Sequence, residues 1–108
     1  SADAADEARI GSAVAWPRKS GRGSNLFVSG IKVDSEHRRR GLATWLLDAI
    51  EEEAKSRGMD GVELTVVRTN GGAIQLYEAR GYADVKIGPL EVAMDPQLAL
   101  SKRMVKAV

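Results

Sequence analysis

The sequence contains no cysteine, so disulfides, zinc–thiolate sites and thiolate nucleophiles are all excluded. It has a single histidine, His37, which cannot build a multi-histidine metal centre alone, and no metal site is expected. Aromatic residues are few: two tryptophans, two tyrosines and one phenylalanine in 108 residues. That scarcity, with a net charge of only +1, argues against a nucleic-acid-binding module. No apolar run approaches the ~18 residues of a membrane span, and no signal-peptide pattern opens the chain. Membrane association is therefore not expected, and the cytoplasm is the default location. What is present is ordinary globular material, 44% hydrophobic and 29% charged, enough for one small domain over residues 1–108.

Local patterns divide that domain into alternating elements. "RIGSAVAW" (9–16) places Ile10, Val14 and Trp16 at strand spacing. "PRKSGRGSN" (17–25) reads as a turn-rich connection, and "LFVSGIKVD" (26–34) as a second strand making a hairpin with the first. Residues 42–57 carry Leu42, Trp45, Leu46, Ala49, Ile50 and Ala54 as a helical stripe, with Gly58 to end it. A strand over 61–67 follows, then a helix over 70–81 capped by Asn70 and closed by Gly81. Strands over 82–87 and 98–106 flank a loop holding Pro89 and Pro96. The order β-β-α-β-α-β-β predicts a mixed α/β sheet with one right-handed crossover. Both helices start directly after strands, so a ligand site is expected at that edge of the sheet.

One stretch conflicts with ordinary helix chemistry. "HRRRGLATWLL" (37–47) sets Arg38, Arg39 and Arg40 at a helix start, where the macrodipole is already positive. Helix-start N–H groups, a close-approaching Gly41, a small Ala43 and the Thr44 hydroxyl together suit a phosphate or pyrophosphate. The Walker phosphate loop is excluded because no Gly-Lys-Ser/Thr tripeptide occurs. "GRGSNL" (21–26) lacks the third glycine of a dinucleotide fingerprint and precedes a strand, so it reads as a hairpin turn.

"VDSEHRRRGLATWLL" resembles the acyl-CoA-binding motif of the GNAT superfamily of N-acyltransferases, Gln/Arg-x-x-Gly-x-Gly/Ala, with Arg38, Gly41 and Ala43 at its defining positions. "LTVVRTNGGAIQLYEARGY" is similar to a second family segment at Asn70, Ala73, Leu76, Tyr77, Glu78, Gly81 and Tyr82. It also looks like the branch that acetylates protein N-termini. The resemblance is strong over about residues 26–83 and looser over "SKRMVK".

The resemblance implies acetyl-CoA as acyl donor and transfer of its acetyl group to a primary amine by direct attack. Its pyrophosphate would rest on the amides of Arg39, Arg40, Gly41, Leu42, Ala43 and Thr44, with Arg38 nearby. The pantetheine arm would pair like an extra strand beside Ile31 and Val33. Asn70 and Ala73 would border the arm; a pure helix cap is the alternative for Asn70. Tyr77 lies seven residues after Asn70 on the same helix face, and its family counterpart donates a proton to the departing thiolate. Its alternative is a core tyrosine.

No general base is assigned. Phe27 and Thr65 stand where several relatives carry a glutamate, and Glu63 is the nearest carboxylate. The family also has a strand and two helices before the hairpin, which wall its acceptor pocket, whereas about eight residues precede the first strand here. The expectation is a complete cofactor half, a reduced acceptor half with apolar surface on that side, and a homodimer formed near "RIGSAVAW". A non-catalytic acyl-CoA-binding module is the alternative reading.

Overall fold

The computed structural model describes residues 7–11, 13–20, 23–29, 31 and 40–108. One six-stranded sheet organises them. Its strands are β1 (Ala8–Ile10), β2 (Ala13–Ser20), β3 (Gly23–Ser29), β4 (Gly61–Val67), β5 (Ala83–Val85) and β6 (Ser101–Ala107), in the order β1-β2-β3-β4-β6-β5. Among the described residues only β3 and β4 run parallel, joined through helix α1 (Arg40–Ser56); the other pairs are antiparallel. Helix α2 (Gly71–Ala79) follows β4. Helix α3 (Pro89–Met94) and a 3₁₀ turn (Pro96–Leu100) lead into β6.

The mixed α/β class and the β-α-β-α core are as the sequence implies, with differences in detail. The strand expected over 9–16 is two, because Gly11 turns the chain at φ +60° between β1 and β2. The connection expected over 17–25 is mostly strand: Pro17 pairs with Leu26, and Ser20 with Gly23. Among the described residues, β1 faces β2 from Ala13 to Ala15, and Pro17 lies beyond that register. β3 ends at Ser29, not at 34, leaving Ile31 half-buried beyond it and residues 32–34 outside the described set.

Toward the C-terminus, the strand expected over 82–87 is three residues long, and that over 98–106 begins only at Ser101. Pro89 and Pro96 each open a helical turn instead of interrupting a loop, since an N-terminal helical position has no N–H obligation.

The core lies between α1, α2 and one sheet face. It contains Leu26 and Val28 of β3, Val62, Leu64 and Val66 of β4, Met104 of β6, and Leu47, Ile50 and Ala54 of α1. Ala43 and Leu46 are also buried on α1, whereas Trp45, expected in the stripe, is 55% exposed. Alternation along the strands sends Trp16, Phe27, Glu63 and Arg103 to the opposite face. α3 and the 3₁₀ turn lie over that second face, where Glu91 of α3 reaches Arg103.

Candidate functional site: the parting of β3 and β4

Among the described residues, the parallel ladder runs from Asn25–Gly61 to Val28–Leu64 and ends there, while β4 continues to Val67 against β6. Two neighbouring strands thus part at their carboxyl ends, beside the starts of α1 and α2. This is the sheet edge at which the sequence placed a ligand site.

At the first helix start, α1 opens at Arg40 with no acidic residue in its first turn. Gly41 is exposed, and a Cβ built there would meet nothing within 4 Å, so the backbone is open to a ligand. Thr44 is half-buried one turn later, and Ala43, at 1% exposure, packs into the core. Leu42 and Arg40 are helical, their side chains outside the description. Val33, His37, Arg38 and Arg39 lie outside the described residues altogether. Ile31 packs against the core edge just past β3.

At the second helix start, Asn70 is the N-cap: its Oδ1 accepts the Ala73 N–H at 3.2 Å. The cap uses the carbonyl oxygen, and the Nδ2 group of the same amide is the atom that can donate to a ligand. Ala73 and Tyr77 face inward, at 1% and 3% exposure. Gly81, at φ +97°, ends the helix: its N–H bonds to Glu78 O, and the Tyr82 N–H bonds to Tyr77 O. That closure brings the Tyr77 and Tyr82 rings to 5.9 Å. Burial pushes the Tyr77 phenol up to about 12, so it stays protonated through the neutral range.

On the second face, a cleft of about 380 Å³ opens at the same parting of strands. Its walls include Trp16, Phe27, Ser29, Thr65, Met94 and Leu98, with Arg18, Arg103, Glu91 and Asp95 among them. Glu63 is fully buried beneath it, accepting from Asn25 Nδ2 at 2.7 Å and lying 3.9 Å from Arg103 Nε. Arg103 Nη1 donates to Glu91 Oε1 at 2.5 Å. Phe27 and Thr65 line the cleft without supplying a carboxylate, and Glu63 is enclosed in the sheet, which makes it a scaffold for Arg103. No motif in the sequence marks Trp16, Arg18, Glu91 or Arg103. The available signal was strand alternation, which sets Trp16 and Arg18 on one face, but the elements facing them are distant in sequence.

The surface expected to be apolar on this side is mixed. Aromatic rings and a buried polar network occupy the cleft, and exposed apolar groups occur on α3 at Leu90 (80%) and Met94 (88%).

A parted parallel strand pair with two helix starts at its mouth and a cleft on the far face suits a two-substrate transfer site. The acetyltransferase (GNAT) family model matches residues 2–82, and the chain belongs to that family. Among curated proteins, an alanine N-acetyltransferase of ribosomal protein bS18 from Salmonella typhimurium is 39% identical over 57 residues, 53% of this chain and 38% of that protein. The match thus spans well under half of that relative's length. Among solved structures, the NatC complex bound to Gag peptide and CoA matches with a TM-score of 0.67 at 17% identity, covering 89% of this chain and 59% of that one. Arabidopsis thaliana NAA60 in complex with acetyl-CoA gives 0.64 at 18%, covering 89% and 64%. These likenesses establish the shared fold.

Proposed function

We propose that the chain transfers the acetyl group of acetyl-CoA to a primary amine. The observation that carries this reading is the separation of β3 and β4 after Val28 and Leu64, with the α1 and α2 starts beside it. The pyrophosphate rests on the α1 start, from Arg40 to Thr44, and the arm enters the gap past Ile31; the family resemblance adds Arg38, Arg39 and Val33 to these contacts. Asn70 Nδ2 holds the arm. Its relatives' names, an alanine N-acetyltransferase and a complex holding CoA, support the same chemistry.

The amine approaches from the second face. Its nitrogen lone pair attacks the thioester carbonyl and the C–S bond breaks. The proton lost by nitrogen ends on sulfur, giving amide and free thiol. Tyr77 donates a hydrogen bond to the departing sulfur. Its pKa lies above the ~8.5 of an ordinary thiol, so the phenol keeps its proton on balance and acts chiefly by stabilising the thiolate. The chain works in the cytoplasm, where acetyl-CoA is available, and two copies associate through the β1 edge.

Incubation with acetyl-CoA and a panel of amines, following free thiol, tests the reading. Thiol release that depends on an amine is expected, with CoA binding seen by calorimetry. Gly41→Asp adds bulk and negative charge where phosphate lies and should weaken CoA binding at least tenfold. CoA binding without transfer to any amine would instead identify a non-catalytic acyl-CoA-binding module.

A further inference from the structure

The charged groups of the second-face cleft are unequally occupied. Glu91 has both oxygens engaged, Oε1 by Arg103 and Oε2 by the Gly88 N–H at 2.9 Å. Asp95 Oδ1 caps the 3₁₀ turn at the Gln97 N–H, 3.2 Å away. Arg103 is buried, donates from Nη1 to Glu91 and lies 3.9 Å from Glu63 through an Nε that makes no hydrogen bond, so its charge is countered by two carboxylates. Arg18 differs. Its guanidinium carbon sits 4.3 Å from the centre of the Phe27 ring, and no carboxylate among the described residues pairs with it. A ring-stacked guanidinium keeps its edge free, with five N–H donors in a fork that fits a carboxylate.

Position adds to composition. Phe27 lies on β3 one residue before the ladder with β4 ends at Val28. Arg18 is therefore held within one or two strand residues of the opening, roughly 3–7 Å at the usual rise. A volume of about 380 Å³ lies at the small end of ligand pockets, which span roughly 300–1,000 Å³.

We propose that the acceptor is a small amine that carries a carboxylate on the same short chain, with Arg18 on Phe27 as the carboxylate receptor. The inference rests on the acetyl-transfer reading for the amine end and on the cleft itself for the acid end. A carboxylate at Arg18 leaves the amine several bonds away, toward the strand gap. A polyamine lacking an acid group leaves the Arg18 edge unmatched.

The probes are 5-aminopentanoate and its primary amide, which differ in the acid group alone. Trp16 lines the cleft and reports occupancy by fluorescence in a Trp45→Phe background, independently of any transfer. The acid should bind about fivefold or more tightly than the amide, the scale of one partly exposed ion pair, and the difference should shrink at high salt. Arg18→Gln should bring the two probes to parity, and Arg18→Lys should restore part of the preference. Arg18 is exposed, so these variants leave the fold intact. Equal binding of acid and amide, or a preference that survives Arg18→Gln, overturns the proposal. Acid-selective binding without thiol release would refute acetyl transfer while supporting the anion receptor. Transfer at equal rates to acid and amide, with equal binding, would do the reverse.

Discussion

Asn70 illustrates how one amide can serve two neighbours. Its Oδ1 is committed to the Ala73 N–H, and Nδ2 is the donor that the proposed acyl-CoA contact requires. Asn70→Asp separates the two roles, keeping the capping oxygen and adding a charge that the helix start tolerates, while removing the donor. Thermal stability should hold, and acetyl-CoA affinity by calorimetry should fall about tenfold, the scale of one hydrogen bond. Unchanged affinity would make Asn70 a cap alone. Tyr77 admits a similar separation. Tyr77→Phe should leave CoA binding intact and slow transfer by about a hundredfold if the phenol assists the leaving sulfur. Burial also makes Tyr77 a stability element with a defined pH window. Its folded pKa of about 12 lies above the ordinary 10.0, so its contribution is complete below pH 10 and is lost as pH rises toward 12. Alkaline unfolding of Tyr77→Phe should accordingly be less steep over that window. The Asn70 cap and the buried position of Tyr77, which is also what its core alternative requires, were legible because cap, helix face and closing glycine lie within one short segment. Arg18 and Arg103 were not, since β2, β3, β4 and β6 must first be placed side by side.

The elements are tied together by a carboxylate that the stripe of α1 does not advertise. Glu51 is 7% exposed, and it accepts from Lys106 of β6 at 2.9 Å, from Arg80 after α2 at 3.0 Å, and from Tyr82 at 3.0 Å. Burial would raise its pKa, but the hydrogen bonds from Lys106, Arg80 and Tyr82 outweigh that and hold it below the ordinary 4.5. A single side chain therefore locks α1 to β6 and to the end of α2, and through the Tyr82 ring it supports Tyr77. Glu51→Ala leaves these donors facing one another and should cost about 3 kcal/mol in denaturant unfolding. Because the folded pKa is depressed, the ionised carboxylate stabilises the fold above pH 4.5 and that contribution fades as pH falls through the lower folded value. The stability gap between the native chain and Glu51→Gln should narrow in acid; a gap constant with pH would refute the account. Apolar periodicity located α1 and the inner positions Leu46, Ile50 and Ala54, and departs from the structure at Trp45 and Glu51. Polar Glu51 turns inward, and Trp45 is left outside beside the Gly11 turn. Around Pro89 and Pro96 the sequence reads as loop because proline stops strands and helices alike, and only the following residues decide which. Glu91 then caps α3 from its own third position, a contact that a loop reading has no reason to seek.

At the scale of the whole molecule, the two edges of the described sheet are β1 and β5. Both are short, three residues each in β1 and β5, and short edges resist indiscriminate strand pairing. The β1 side nevertheless differs from the β5 side. Trp45 of α1 is 55% exposed there, within 3.9 Å of the position a Cβ would take on Gly11, the residue turning β1 into β2. An exposed indole next to β1, which pairs only β2 among the described residues, offers apolar area and backbone partners together, and a two-fold pairing would bury both rings at one axis. The β5 edge instead presents Asp84 in an ion pair with Lys102, a charged and solvated arrangement. Association through β1 is thus favoured over association through β5. Sedimentation equilibrium should detect a concentration-dependent dimer, and Trp45→Glu should shift it to monomer by placing two like charges at the axis. An Asp84→Lys change on the opposite edge should leave the dimer untouched. A monomer at every concentration, or a dimer broken by Asp84→Lys and not by Trp45→Glu, would exclude the β1 edge as the contact. The cleft on the second face is built from β2, β3, β4, α3 and β6 of one chain, so the Trp45→Glu monomer should keep acceptor binding at Arg18.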